Sequence, residues 1–426
     1  MDKRLLKQII LDNRKDVENY VVSPRKISIP DFPCLVFVGV RRAGKSFLLY
    51  HKMQEMLRSG KTWDDMLYLN FEDDRIDRFT SDDFNLILEC QSELSDKKSA
   101  LFLDEIQNID GWEKFARRLA DKKYSVYITG SNAKMLSKEI MGKLGGRYLP
   151  VEVYPLSFSE YLDARNVSYD DNSLIATDSR AKIFRAYDEY LHWGGMPECI
   201  GMDGKRNYIA SVFQKIYLGD ICARNKVGNP NLLRLMLKKM AESVMQPVSY
   251  TRIASVLSGA GEKISVPTVS SYIEGGEDAW LLLRLRNVAS PFSEKQTICK
   301  YYFIDNGILS LFLMNADTLL LENMVALALF RKYGYDNDDE RVFFYREKIE
   351  VDFYVPDDEL AIQVSFSVEK NIETYEREVE ALTRLSKVKT CRKRMIITYD
   401  DESVAHDEYG DIEIVPYWKW VLQEQL

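Results

Sequence analysis

One short glycine-rich segment constrains this chain more than any other part of its sequence. Residues 39–46 read Gly-Val-Arg-Arg-Ala-Gly-Lys-Ser and match the pattern G-x-x-x-x-G-K-[ST]. An apolar run at residues 34–38 precedes this loop, and a helical pattern at 47–57 follows it. Such a loop turns backbone N–H groups onto a phosphate at a helix N-terminus. The sequence therefore predicts a phosphate-binding loop (P-loop) in a parallel α/β fold.

The P-loop supplies the candidate contacts with a nucleotide and its metal. Lys45 can reach the β- and γ-phosphates, and the Ser46 hydroxyl can ligate Mg²⁺. Arg41 and Arg42 can touch phosphate or can simply be solvated. The full set of predicted nucleotide-binding residues is Gly39, Arg42, Gly44, Lys45, Ser46, Phe47 and Asp104. ATP and Mg²⁺ are therefore the expected cofactors.

Two further strand ends are predicted to complete the site. The apolar run at 99–103 is followed by Asp104 and Glu105; we expect Asp104 to hold the magnesium shell and Glu105 to orient and polarise the attacking water. The same acidic pair could instead only cap the next helix. Residues 129–132 place polar side chains at the sheet edge where open α/β sheets bind ligands. Asn132, with Ser131 as the alternative, is the predicted γ-phosphate sensor.

The pattern of apolar runs predicts the surrounding domain. Nearly continuous runs at 34–38, 66–71 and 100–103 alternate with helical patterns, which is typical of a parallel sheet covered on both faces. Later runs at 124–129 and 148–153 extend this sheet, and the domain is expected to end near residue 160. Residues 3–20 form an amphipathic helical pattern ahead of it.

Composition limits the other classes of protein. With 426 residues, 46% of them hydrophobic, the chain is expected to form two to three globular domains. No apolar run approaches the roughly 20 residues that span a bilayer, and no export signal is recognisable. The six cysteines show no CxxC spacing, so we expect no zinc site, no disulfide framework and a cytoplasmic location. The net charge of -8 excludes an overall basic field, although a local basic patch remains compatible.

The middle of the chain predicts a second kind of module. Residues 161–228 are predicted to be mostly helical, with a break at 192–197. Residues 247–286 show the pattern of a helix-turn-helix, followed by a strand that could form a wing. The predicted second helix carries few cations, although Lys263, Arg284 and Arg286 flank it. The module could contact DNA, or it could be a packing or lid module that transmits the nucleotide state.

Several segments together resemble a widespread prokaryotic AAA-type ATPase family. They include the P-loop, Leu-Asp-Glu-Ile-Gln-Asn-Ile-Asp-Gly-Trp, Thr-Gly-Ser-Asn, Gly-Gly-Arg-Tyr, Tyr-Pro-Leu-Ser-Phe-Ser-Glu-Tyr and Gly-Gly-Met-Pro-Glu. By this resemblance Arg147 could stabilise the transition state, in cis or from a neighbouring subunit of a homo-oligomer; it could equally pair with local carboxylates. The implied fold is α/β, with segments 1–30 (N-terminal amphipathic helix), 31–160 (AAA-type ATPase domain with a parallel sheet and flanking helices), 161–228 (helical segment), 229–292 (winged helix) and 293–426 (α/β nuclease-like domain).

The last segment also resembles the layout of PD-(D/E)XK nucleases. Glu322 on a helix and Asp352 on a strand are the candidate metal ligands. The next strand reads Gln363-Val-Ser365 where those nucleases carry Glu-x-Lys, so the lysine that assists the attacking water is missing. Lys348 is the nearest substitute in sequence. A degenerate nuclease fold used for binding or assembly is therefore favoured over an active, metal-dependent nuclease.

These observations rank three functions. The leading one is an AAA-type ATPase whose cycle of ATP hydrolysis drives a conformational change in its C-terminal modules. The second is an ATP-gated switch with slow turnover that binds nucleic acid, through the winged helix, or a protein partner. The third is the metal-dependent nuclease.

Overall fold

The chain divides into two compact units. The computed structural model describes residues 1–22, 24–131, 138–259, 261, 263–335 and 340–424. Contacts group Met1–Val153 with Asp278–Trp280 in the first unit, and Tyr154–Glu277 with Leu281–Leu426 in the second. Within those described residues, no helix is both long and apolar enough to cross a membrane.

A parallel sheet forms the centre of the first unit. Among the described residues its strands are β1 (Cys34–Val38), β2 (Met66–Asn70), β3 (Ala100–Asp104), β4 (Val126–Gly130) and β5 (Leu149–Glu152). They lie in the order β2-β3-β4-β1-β5, and every neighbouring pair is parallel. All five residues of β1 are buried because helices cover both faces, which explains the nearly continuous apolar runs. The predicted α/β class, with a parallel sheet and flanking helices, is confirmed.

The helices of the first unit connect and cover these strands. They are α1 (Lys3–Asn19), α2 (Lys45–Arg58), α3 (Phe84–Leu94), α4 (Trp112–Asp121) and α5 (Lys138–Leu144). The side chain of Asp2 caps α1 by accepting a hydrogen bond from the Leu5 amide at 2.8 Å. Leu6, Ile9 and Val17 are fully buried and pack α1 onto its own unit. The predicted amphipathic helix is thus part of the first unit.

The second unit begins with helices and ends in a mixed sheet. Its helices are α6 (Phe158–Ala164), α7 (Asp171–Ile175), α8 (Thr177–Trp193), α9 (Lys205–Lys215), α10 (Pro230–Ala241), α11 (Tyr250–Gly259), α12 (Val266–Asp278), α13 (Phe292–Thr297), α14 (Asn306–Leu309), α15 (Asp317–Tyr333), α16 (Ile372–Ser386) and α17 (Tyr417–Gln423). Its strands are β6 (Val248–Ser249), β7 (Leu282–Asn287), β8 (Ile298–Phe303), β9 (Phe343–Arg346), β10 (Glu350–Val355), β11 (Leu360–Val364), β12 (Lys393–Thr398), β13 (Ser403–Asp407) and β14 (Gly410–Pro416).

The strands of the second unit form one continuous sheet. Within the part of the chain that the structure describes, nine strands lie in the order β13-β14-β12-β11-β10-β9-β7-β8-β6. Strand β7 pairs antiparallel with β8 and parallel with β9, with Arg286 opposite Phe343. The predicted boundary at residue 292 therefore falls between strands that share a sheet.

The Gly-Gly-Met-Pro-Glu loop and the segment that follows β8 meet at one buried carboxylate. Asp305, which is 1% exposed, accepts hydrogen bonds from the backbone amides of Gly195 at 2.8 Å, Gly307 at 2.8 Å and Ile308 at 3.3 Å. A Cβ on Gly194 would lie 2.2 Å from the Asp305 carboxylate. Asp305 therefore joins the Gly-Gly-Met-Pro-Glu loop to the segment that follows β8.

The structure departs from the predicted elements at a few points. Residues 216–223, predicted simply as helical, form a π-helix (Ile216–Ala223) that continues α9. Strands β6, β13 and β14 and the short helices α5, α13, α14 and α17 were not predicted. Most are short, and β13 carries exposed residues where a regular apolar alternation would be needed to recognise it.

Candidate nucleotide-binding site

The P-loop lies at the carboxyl end of β1 and leads directly into α2. A Cβ placed on Gly39 would lie 2.0 Å from the carbonyl oxygen of Val153, so only glycine fits there. Gly44 is the N-cap of α2, has a left-handed φ of 94°, and provides no side-chain cap. The first amides of α2 are thus left for another acceptor, as a phosphate site requires.

Lys45 is held inside the loop. It is 4% exposed, and its Nζ donates hydrogen bonds to the carbonyl oxygens of Gly39 at 3.1 Å and Val40 at 3.0 Å. The same Nζ lies 3.6 Å from Oε1 of Glu105. The predicted phosphate-binding lysine and the predicted water-orienting glutamate therefore meet directly.

Asp104 is buried at the end of β3 among hydroxyl groups. Its Oδ2 accepts a hydrogen bond from Tyr68 at 2.8 Å, and its Oδ1 accepts one from Thr129. The Ser46 hydroxyl also hydrogen-bonds to this carboxylate. Burial, together with the neighbouring Glu105, raises the pKa of Asp104 to about 6. Ser46 and Asp104, the two predicted magnesium-binding residues, are thus adjacent.

Glu105 occupies a strained position next to Asp104. Its φ of 52° is left-handed, which costs a residue other than glycine roughly 1–3 kcal/mol and is typical of functional sites. Its amide donates to the Thr129 hydroxyl at 2.9 Å, which anchors the turn. Burial alone would raise the pKa of Glu105, but the Lys45 cation and the Gln107 amide outweigh burial and keep that pKa below its ordinary value.

Gln107 is a site residue that the sequence analysis missed. Its Nε2 donates to Oε2 of Glu105 and lies 3.5 Å from the Ser131 hydroxyl. Ser131, the alternative sensor, is 1% exposed at the end of β4, whereas Asn132 lies outside the described residues. No sequence pattern singled out Gln107, whose place depends on the 3₁₀ turn Ile106–Asn108 directly after Glu105.

The remaining predicted P-loop contacts lie at its rim. Arg41 pairs with Glu72 at 2.7 Å. Arg42 is exposed and has a left-handed φ of 64°. Phe47 is 37% exposed, and its ring centroid lies 5.5 Å from that of Tyr20. Arg42 and Phe47 can therefore meet a ligand only at the outer edge of the loop.

Arg147 lies at the other end of the sheet. It precedes β5, whose first residue, Leu149, is opposite Leu35 near the start of β1. The P-loop follows the end of β1, and three strand residues span roughly 10 Å. The Arg147 side chain is 33% exposed and pairs with Asp121 at 2.5 Å. This placement favours the local pair or a role in trans over a role in cis.

The two predicted metal ligands of the second unit converge on a lysine. Lys300 on β8 places its Nζ 3.3 Å from Glu322 and 2.9 Å from Asp352. Lys348, the predicted substitute, is exposed instead. The strand that carries Gln363 and Ser365 lacks the nuclease lysine, as its sequence shows, but a strand distant in sequence places a different lysine, Lys300, between the two carboxylates. Its signal was a single cation within the otherwise apolar run of β8.

Comparisons with known proteins match both halves of the chain. Residues 31–162 match a family described as an AAA domain, and residues 184–319 match one described as a domain of unknown function. An uncharacterized protein of Methanocaldococcus jannaschii is 32% identical, over 99% of this chain and 96% of its own. An uncharacterized protein of Haemophilus influenzae is 30% identical, over 95% and 98%.

Likeness to solved structures is weaker. The Walker-type ATPase of Pyrococcus abyssi is 13% identical, over 73% of this chain and 94% of that one, with a TM-score of 0.41. The AAA-type character expected from the sequence is thus confirmed by the family match at residues 31–162, whereas the winged helix and the nuclease-like segment stay predictions.

Proposed function

The chain belongs to the same family as its Methanocaldococcus and Haemophilus relatives and carries an AAA domain, and from this premise we propose that it binds ATP with Mg²⁺ and hydrolyses it. The observation that carries the proposal is the convergence of Lys45, Ser46, Asp104 and Glu105 at one edge of the parallel sheet. Open α/β sheets bind ligands at this edge.

The local groups divide the work of phosphoryl transfer. The amides at the start of α2 and the Lys45 ammonium would bind the phosphates. Ser46 and Asp104 fit Mg²⁺ because a hydroxyl and a buried carboxylate oxygen already lie in contact. Mg²⁺ there would neutralise charge on the phosphate oxygens. Glu105 would then orient water at the γ-phosphate, with Gln107 fixing its carboxylate.

One feature favours slow basal turnover. The Glu105 carboxylate is paired with the Lys45 ammonium, so this contact must rearrange before Glu105 can serve a water molecule. An event that releases Glu105 from Lys45 would accelerate hydrolysis. We therefore infer a partner-gated form of the ATPase, in which the nucleotide state drives conformational change in the C-terminal modules.

The surface of the proposed winged helix favours a protein partner over DNA. Arg284 binds Glu277, with Nε 2.6 Å from Oε1, and Arg286 pairs with Glu340. Both arginines are largely buried, and their charges are paired with carboxylates of the same unit. Of the three flanking cations, Lys263 is the exposed one. Of the cations that flank the predicted second helix, Lys263 is thus the one accessible to phosphates, on which DNA affinity depends.

Steady-state ATP hydrolysis and fluorescent-nucleotide binding test the proposal. Lys45→Ala should lose binding, whereas Glu105→Gln should keep binding and lower kcat by roughly 10²-fold or more, because only the water-orienting carboxylate is gone. Glu89→Gln, an exposed change on α3, is the matched control. Each protein is assayed with and without DNA and RNA. Turnover by Glu105→Gln at the wild-type rate would remove Glu105 from the mechanism, and stimulation by nucleic acid would replace the protein partner with DNA or RNA.

A further inference from the structure

A buried ion cluster in the second unit lies outside the ATP-site residues. Its cation is Lys300 on β8, and its anions are Glu322 on α15 with Glu350 and Asp352 on β10. The Lys300 Nζ lies 3.3 Å from Glu322, 3.2 Å from Glu350 and 2.9 Å from Asp352. Three elements that are separated along the chain are thus joined by one ammonium group.

The ammonium is held by these partners on three sides. A lysine ammonium has three N–H donors, and this one donates to Glu322 and Asp352 and lies 3.2 Å from Glu350. Lys300 and Glu322 are both 0% exposed, so their contact is made away from water. The Glu322 Oε1 also accepts a hydrogen bond from the Tyr302 hydroxyl at 2.8 Å. The cluster is closed by protein groups on the lysine side.

Asp352 is committed to the protein as well. Its Oδ2 accepts a hydrogen bond from the Val364 amide at 3.0 Å, while its own amide donates to Gln363 at 2.8 Å. Gln363 in turn donates to Glu378 at 2.7 Å. In the nucleases that this segment resembles, the corresponding strand carries an acid and a lysine. Here that strand carries the neutral amide of Gln363, which is hydrogen-bonded on both sides.

A divalent metal does not fit between Glu322 and Asp352. A Mg²⁺ or Ca²⁺ ion bridging the two carboxylates would need their oxygens at roughly 2.0–2.6 Å. The Lys300 ammonium already lies against Glu322 Oε1 and Asp352 Oδ1, and a second cation cannot share the space between those two oxygens. Throughout the described ranges, no group of three or more His, Cys, Asp or Glu side chains is arranged to hold a metal ion.

We propose that Lys300 is a built-in cation that takes the place of a metal and converts a nuclease-like site into a structural joint. The rival role, a catalytic lysine that assists metal-dependent cleavage from an unusual strand, requires contact with a phosphate or an attacking water. The Lys300 ammonium is fully buried and lies against three carboxylates, which stand where a phosphate or an attacking water would have to approach it. The segment thus holds β8, α15 and β10 together and does not cut nucleic acid.

Lys300→Met tests the proposal because it removes the charge and keeps an unbranched apolar side chain of similar length. Nucleotide-free full-length chain is titrated with Mn²⁺ while thermal unfolding is followed, and DNA cleavage is assayed with Mn²⁺ and Mg²⁺. The variant should unfold roughly 10 °C below the wild type, because it leaves buried carboxylates unpaired. Mn²⁺ should restore much of this loss in the variant and should not stabilise the wild type. Lys348→Met, an exposed lysine in the same segment, should behave as the wild type.

Two outcomes would overturn the proposal. One is DNA cleavage by the wild type that Lys300→Met or Asp352→Asn abolishes, which would make Lys300 catalytic. The other is a folded Lys300→Met chain that gains nothing from Mn²⁺, which would show that the lysine does not fill a metal position. If Lys300→Met does not fold, the wild type alone decides: stabilisation by Mn²⁺ that Asp352→Asn removes would refute the built-in cation.

Discussion

Replacing Asp305 should destabilise the second unit by an amount that its hydrogen bonds predict. The carboxylate is 1% exposed and accepts three backbone N–H groups, from Gly195, Gly307 and Ile308. Asp305→Ala leaves these donors buried without an acceptor, and each such donor costs about 1–3 kcal/mol. Since water can enter the vacated volume, the lower end applies, and the free energy of unfolding should fall by about 3–5 kcal/mol.

Asp305→Asn provides a graded comparison. Its carbonyl oxygen can keep the bonds from Gly307 and Ile308, while its NH₂ group would face the Gly195 amide. One donor instead of three is then unsatisfied, so the loss should be about 1–2 kcal/mol. The two variants should therefore rank below the wild type in the order Asn, then Ala.

Thermal and urea unfolding of the full-length chain measure both losses. Asp305→Ala should lower the Tm by roughly 10 °C. Asp203→Ala, an exposed turn position in the same unit, is the control and should leave the Tm unchanged. Wild-type stability for Asp305→Ala, or a larger loss for Asn than for Ala, would refute the assignment of these hydrogen bonds as the source of the stability.

Three further outcomes are expected. Gly39→Ala should weaken fluorescent-nucleotide binding by about tenfold or more, because its Cβ would meet the Val153 carbonyl at 2.0 Å; unchanged affinity would mean that the loop tolerates the shift. Gln107→Leu should lower kcat by about tenfold while the nucleotide Kd stays the same, since it removes the hydrogen bond that positions the Glu105 carboxylate without touching the P-loop. An equal loss of binding would argue for a merely structural role. If Arg147 acts in trans, Arg147→Ala should lower kcat by about 10³-fold, and mixing it with Lys45→Ala chains should restore activity. If Arg147→Ala turns over ATP at the wild-type rate and mixing restores nothing, the role of Arg147 is limited to its ion pair with Asp121.

The ATP-site unit could be predicted because its signals are local. The P-loop and the pair Asp104 and Glu105 are contiguous motifs, and each follows a strand whose burial on both faces appears as an apolar run. Parallel strands bring such ends to one edge, so motifs far apart in sequence could be placed together. The predicted strands and helices agree with the observed ones to within a few residues for the same reason.

The partners of these groups could not be predicted. Gln107 contacts Glu105 because a left-handed turn at Glu105 folds the chain back. Residue propensities do not predict a left-handed conformation at a glutamate. Lys300 lies 52 residues before Asp352 in the sequence and contacts it from β8. The nuclease pattern instead places its lysine on the strand that follows Asp352. A lysine inside an apolar strand indicates a buried partner, but the sequence does not say which one.

The continuity of the nine-stranded sheet limits how the second unit can be dissected. A fragment that starts at residue 293 would keep β8 and β9 but lose β7, which lies between them among the described elements, and β6, which pairs with the other side of β8. Three hydrogen-bonding edges would then be open, and open edges invite aggregation. Expression of the C-terminal segment alone is therefore expected to yield insoluble protein. For the same reason, we expect the segments on either side of residue 292 to move together, because their strands alternate within one sheet.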